Sequence, residues 1–154
     1  MHQDHNPVSL GSPPSPTARG GLDARYAIAK LQLGPKVASL TTLGTPHHGT
    51  TFADWAVQNG LAGTVTAVLG LLGIDFSGLE DLTTTACRKR NRLLENYENR
   101  NSNRILYQTY AGVQDMDDVF WPLLPSYRVI RKMEGINDGL VAVDSAKWKD
   151  AYFR

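Results

Sequence analysis

The sequence predicts an α/β domain built on a parallel sheet with flanking helices. Three observations carry this expectation. Ala24, Ala27, Ile28 and Leu31 fall at i, i+3, i+4 and i+7, one face of a helix. Directly after it, Val37 to Leu43 is short, uncharged and rich in apolar or β-branched residues, as in a strand covered on both faces. A helix leading at once into such a strand marks a βαβ unit. Finally, a second strand pattern, Ile105 to Val113, returns only after a further helical stretch.

Taken in order, residues 1–19 are rich in Pro, Ser and His and show no apolar periodicity, so they are expected to be disordered. The first helix should end at Gly34-Pro35, because proline cannot continue the backbone ladder. Thr45-Pro46-His47-His48-Gly49 reads as the loop after the first strand. From Trp55 to Ile74 there is no charged residue, and Leu61, Val65, Val68, Leu69 and Leu72 form one helical stripe. Gln58, Asn59, two threonines and four glycines interrupt this run, so it falls short of the ~20 apolar residues of a membrane span. Two readings stay open for it: a buried core helix, or a mobile apolar cap that touches lipid. Its glycines, each costing about 1 kcal/mol against alanine in a helix, suit a segment that rearranges.

Ser77 and Glu80 have capping-box spacing before a helix whose buried stripe would be Leu79, Leu82, Ala86 and Leu93. Arg88-Lys89-Arg90 and Arg92 read as a solvated face near the end of that helix, in preference to a phosphate site. Asn99 to Asn103 reads as a loop. In the second strand Ile105, Tyr107 and Thr109 alternate with Leu106, Gln108 and Tyr110. Asp115, Asp117 and Asp118 lack the glycine and distal glutamate of a calcium loop and read as surface. Leu124 to Met133 is expected to be helical. Asn137-Asp138-Gly139 follows, then a short strand from Leu140 to Val143.

A length of 154 residues allows one domain or part of one. The net charge of +1 offers no electrostatic case for nucleic acid or an anionic membrane. The single Cys87 excludes an internal disulfide. No apolar stretch of a secretory signal lies between Met1 and Arg19. Asp4, the prolines and the late first arginine also oppose a mitochondrial presequence. A cytoplasmic or mitochondrial location is favoured over secretion, and no transmembrane segment is expected.

Three segments together resemble one family. Gly20-Gly21-Leu22-Asp23-Ala24-Arg25-Tyr26 is similar to the stretch after the nucleophile in the G-H-S-M-G-G-L-D-A-R-Y elbow of fungal and bacterial triacylglycerol lipases, which are α/β-hydrolases. Ser39-Leu40-Thr41-Thr42, with Thr45-Pro46-His47-His48-Gly49 and Ala53-Asp54, resembles the family's S-L-T-T…T-P-H-x-G-S…A-D. Asn137-Asp138-Gly139-Leu140-Val141, followed by Ser145-Ala146-Lys147-Trp148, resembles its acid loop. In character the chain stands nearest the yeast mitochondrial triacylglycerol lipase group, and the likeness runs over residues 20–148.

The resemblance implies a partial α/β-hydrolase: residues 20–154 as the C-terminal part of the sheet domain, residues 50–95 as a helical cap, and residues 1–19 unrelated to the family. It implies hydrolysis of carboxylic esters, most of all triacylglycerols, through Ser, Asp and His, with no cofactor and with a lipid or ester substrate met at a lipid–water interface. Asp138 is the implied triad acid; taken alone, an Asp-Gly pair would read as an ordinary turn. The nucleophile position falls on Ala18, which cannot attack an acyl carbon, and the oxyanion donor would be the backbone amide of Arg19. The triad order in this fold is Ser, Asp, His, yet no histidine follows Asp138. His47 and His48 precede the acid and read as loop-shaping residues. Leu61, Val65, Leu69 and Leu72 are the candidate acyl-chain contacts. The chain as given is therefore expected to be inactive. The competing readings are a non-catalytic lipase-like remnant that binds lipid or protein, and a soluble carboxylesterase or acyltransferase.

Overall fold

A computed structural model describes residues 19–71 and 78–154, the side chains of residues 68, 69 and 71 excepted. Helix α1 spans Gly20–Lys30, strand β1 Ser39–Leu43, α2 Thr51–Gln58 and α3 Ala62–Leu71. Then come α4 over Thr84–Asn101, β2 over Leu106–Tyr110, α5 over Leu124–Met133 and the short α6 over Val143–Ala146.

The two strands pair in parallel, Ser39 opposite Leu106 and Leu43 opposite Tyr110. The crossover between them runs through α2, α3 and α4, which gives the parallel pairing the sequence predicts. The sheet is two-stranded among the described residues, and only one face is covered. Thr42, Tyr107 and Thr109 point inward, while Leu43 is 73% and Leu106 54% exposed. The expectation that both faces of β1 are covered is therefore corrected: α1 and α4 lie on one side, and none of the described helices fills the other.

Helix α1 forms where its periodicity predicts, but on a different face. Its buried residues are Leu22, Arg25, Ile28 and Ala29, and Leu31 is exposed. The helix stops at Lys30 because Gln32 turns into the left-handed region (φ +54), ahead of Gly34-Pro35. The apolar run after Trp55 is two helices, not one. Asn59-Gly60 breaks it, and Gly60 supplies the positive φ of +67 that the turn needs. Capping also differs from expectation. The Thr50 hydroxyl caps α2 and the Thr83 hydroxyl caps α4, accepting from the amides of Phe52 and Ala86. Ser77 lies outside the described residues. Because α4 starts at Thr84, its buried stripe is Cys87, Leu94, Tyr97 and Glu98, and Leu93 faces solvent. Arg88 to Arg92 therefore occupy its first half, and the helix runs on through the expected loop to Asn101.

Helix α5 has the predicted limits. The expected strand at Leu140–Val143 is absent: Asn137 and Ala142 form a single antiparallel bridge, and Val143 starts α6. Two packed clusters matter for the site. One gathers Leu22, Ala53, Ala56, Leu79, Leu82, Cys87, Val119, Leu123 and Tyr127. The other gathers Ile28, Leu94, Tyr97, Ile105, Tyr107 and Trp148. Cys87 is buried, and burial pushes its thiol pKa up, which makes it an inert packing residue. Among the described residues no helix is long and apolar enough to cross a membrane, and no group of His, Cys, Asp or Glu side chains is arranged to hold a metal ion.

Candidate active site

Asp138 sits just beyond the carboxyl ends of both strands. A Cβ on Gly44, after β1, would lie 3.5 Å from Asp138 Oδ2, and one on Gly112, after β2, would lie 3.0 Å from it. Ligands of open α/β sheets bind at this end of the strands. The loop is held by its own side chains. Asp138 Oδ1 accepts from the amides of Leu140 (2.9 Å) and Val141 (2.8 Å). Buried Asn137 accepts from the Gly139 amide at 2.8 Å and donates to the Gly135 carbonyl at 2.9 Å. Gly139 takes φ +101, which a side chain would resist. Among the described residues Oδ2 accepts no hydrogen bond, so one carboxylate oxygen anchors the loop and the other is available. The turn bonds thus leave room for a second role in the same residue.

The elbow side is packed as its glycines demand. A Cβ on Gly21 would meet Thr45 Oγ1 at 2.3 Å, so only glycine lets α1 approach the loop after β1 this closely. Arg19 stands at the N-cap of α1. Its side chain pairs with Asp23 at 3.3 Å and Asp81 at 3.1 Å. Ala18 lies outside the described residues.

A buried charge network that the sequence reading missed joins α1, α4 and the loop after β1. Arg25, 2% exposed, grips Glu98 with two bonds, Nε to Oε1 at 2.9 Å and Nη2 to Oε2 at 3.1 Å. Its Nη1 donates to His47 Nδ1 at 3.0 Å. Arginine can only donate, so Nδ1 is the acceptor and the Nε2 proton goes to Thr42 Oγ1, 2.9 Å away. The guanidinium also lies 3.9 Å from the centre of the Trp148 ring, and the His47 ring stacks on that ring at 4.9 Å. Trp148 adopts φ +52, strained for a bulky residue, and this packing offsets the strain.

His48 donates to the Trp148 carbonyl at 2.9 Å, and the Ser145 hydroxyl donates to the Gly49 carbonyl. Both histidines therefore hold the loop, as expected from their place before the acid. The three segments that carry the family resemblance meet at this one junction. The available signal for Arg25 was its spacing: it lies three residues after Leu22 and three before Ile28, on the apolar face.

Burial, reinforced by the Arg25 charge, holds His47 well below the ordinary histidine pKa. The folded protein thus keeps this ring neutral while the unfolded chain protonates it near pH 6.5. The sign follows: stability is present in full above pH 6.5 and is lost as the pH falls below it toward the depressed folded value. Thermal unfolding midpoints should drop between pH 7 and pH 5. In His47→Gln that part of the drop should vanish, and an unchanged pH profile would refute the assignment.

Of the candidate acyl contacts, Leu61 lies at the rim, 36% exposed, and Val65 packs against the core. The Leu69 side chain and Leu72 lie outside the described residues. Arg88 and Arg92 line a cleft of about 290 Å³ with Glu95, Glu98 and Lys149, mixed in charge as a solvated face would be.

No family model matches the chain. It is 35% identical over 136 residues to Triacylglycerol lipase 2 of Saccharomyces cerevisiae, covering 84% of the chain and 38% of that relative. Over that stretch the chain resembles a lipase in sequence. In fold the chain is similar to the mature form of Bacillus licheniformis lipase BlEst2, with a TM-score of 0.66 and 28% identity, over 88% of the chain and 52% of the enzyme. The propeptide form gives a TM-score of 0.61 and 29% identity, over 82% and 26%. The chain thus has a partial α/β-hydrolase fold and spans about half or less of the relatives it matches.

Proposed function

We propose that this chain carries the acid limb of a serine-hydrolase site that cleaves carboxylic esters, triacylglycerols above all, when the rest of the domain is present. The placement of Asp138 supports this reading most. Its Oδ1 is held by two amides and its Oδ2 is available at the strand ends, where a triad acid must receive a histidine N–H. Asp138 would orient that histidine and stabilise its charged form, and the Arg19 amide would help hold the oxyanion. The yeast relative's being a triacylglycerol lipase by name supports the acylglycerol class.

With Ala18 at the nucleophile position and no histidine after Asp138, the chain as given has neither nucleophile nor base. Purified, it should not hydrolyse tributyrin or nitrophenyl esters above the buffer rate. A chimera that sets residues 20–148 between the flanking parts of the yeast relative should be active. Asp138→Asn in that chimera should lower kcat about a thousand- to ten-thousand-fold, the scale of losing the correct histidine tautomer. A loss below about tenfold would remove Asp138 from the triad.

A further inference from the structure

Gly112 is a glycine that its own backbone does not require. It lies exposed in the loop after β2, and its φ is outside the left-handed region. What it faces is the acid. The three heavy atoms nearest to a Cβ built there all belong to Asp138: Oδ2 at 3.0 Å, Cβ at 3.1 Å and Cγ at 3.5 Å. Carbon atoms in contact ordinarily stand about 3.5–4.0 Å apart, so any larger residue here pushes on the acid. Gly44, after β1, differs. Its φ of +56 favours glycine on its own account, and its Cβ would stand at an ordinary 3.5 Å from Oδ2.

We propose that Gly112 is a positioning residue for the triad acid, a proposal that rests on the reading of Asp138 as that acid. The amides of Leu140 and Val141 hold Oδ1. Bonds to one oxygen leave a carboxylate able to swing about it, and a triad acid must keep its other oxygen aimed at the histidine. The close backbone of Gly112 blocks that swing on the side of the loop after β2.

Neither loop can back away from the contact. The Gln114 amide donates to the Asn137 carbonyl at 3.1 Å, and the Tyr127 hydroxyl donates to the Gln114 carbonyl at 3.3 Å. From the other direction the hydroxyl of Ser126, 3% exposed, donates to the Gly139 carbonyl. Both sides of the contact lie within this chain, whatever completes the domain around it.

The test is Gly112→Ala in the full chain, followed by nuclear magnetic resonance. The Asp138 carboxyl carbon resonance should move. The amides of Leu140 and Val141 should exchange at least about tenfold faster, because their bonds to a charged oxygen weaken. The Ile28 amide, in α1, should exchange as in wild type. Val113→Ala, at the exposed next residue, should change neither signal. In the chimera, Gly112→Ala should lower kcat about tenfold or more with KM unchanged, since displacing a reacting group by about 1 Å can cost a hundredfold. An unmoved resonance, unchanged exchange at Leu140 and Val141, equal acceleration throughout the chain, the same changes in Val113→Ala, or an unchanged kcat would each overturn the proposal. Failure of the triad reading looks different: Asp138→Asn then leaves the chimera active, while the Gly112→Ala signals in the full chain persist.

Discussion

Arg25→Met should destabilise the protein by about 3–5 kcal/mol, the loss seen when one partner of a buried ion pair is removed. Glu98 is 3% exposed and takes both of its guanidinium bonds from Arg25. Without them its carboxylate is buried and unpaired. The same change removes the donor to His47 Nδ1 and the cation over Trp148, so the loop after β1 and the Ser145–Trp148 segment lose a common anchor. Domains are stable by only about 5–15 kcal/mol, so the urea midpoint should fall by a large fraction. Arg25→Met/Glu98→Leu should recover much of the loss, because no lone charge remains. A single-variant loss below about 1 kcal/mol would mean that water reaches Glu98 and the pair is not the framework of the site.

Gly49→Ala should have the next largest effect, about 2–5 kcal/mol, from left-handed strain and overpacking together. Gly49 has φ +85, and its Cβ would come within 2.7 Å of the Thr84 backbone, where α4 begins. Neither backbone can yield: the Thr84 amide donates to Asp54 at 3.0 Å, and Thr83 caps the helix. Gly60→Ala is the control. Gly60 also has a positive φ, +67, but nothing lies within 4 Å of its added Cβ, so only the strain of about 1–2 kcal/mol should appear. Thermal unfolding of both variants decides the matter, and equal losses would count against the close approach.

Legibility in the sequence followed how local the determinants are. The limits of α5 and the turn at Asn137-Asp138-Gly139 were readable because a helix period and Asx chemistry act over a few residues. The inward alternation of Ile105, Tyr107 and Thr109 was readable for the same reason. The break at Gly60 was not, since a glycine within an apolar run reads equally as a helix residue or a stop. The burial of Arg25 was not readable, because charge usually means solvent and its partner Glu98 stands 73 residues away. Leu140 to Val143 mimics a strand in composition, yet the loop's own hydrogen bonds to Asp138 hold it in a turn. Asp138 stood out as a candidate triad acid only by combining the turn with the family likeness.

Trp148 has a consequence for the order of assembly. It stacks on His47, faces Arg25, and its carbonyl receives His48 from 100 residues earlier. Contacts of such long sequence separation require large loops to close before any reward is gained, and they slow folding. During synthesis α1 and β1 must wait, with Arg25 wet and Leu43 bare, until Trp148 has left the ribosome. A ribosome-bound chain arrested before residue 148 should therefore be protease-sensitive throughout and free of this junction.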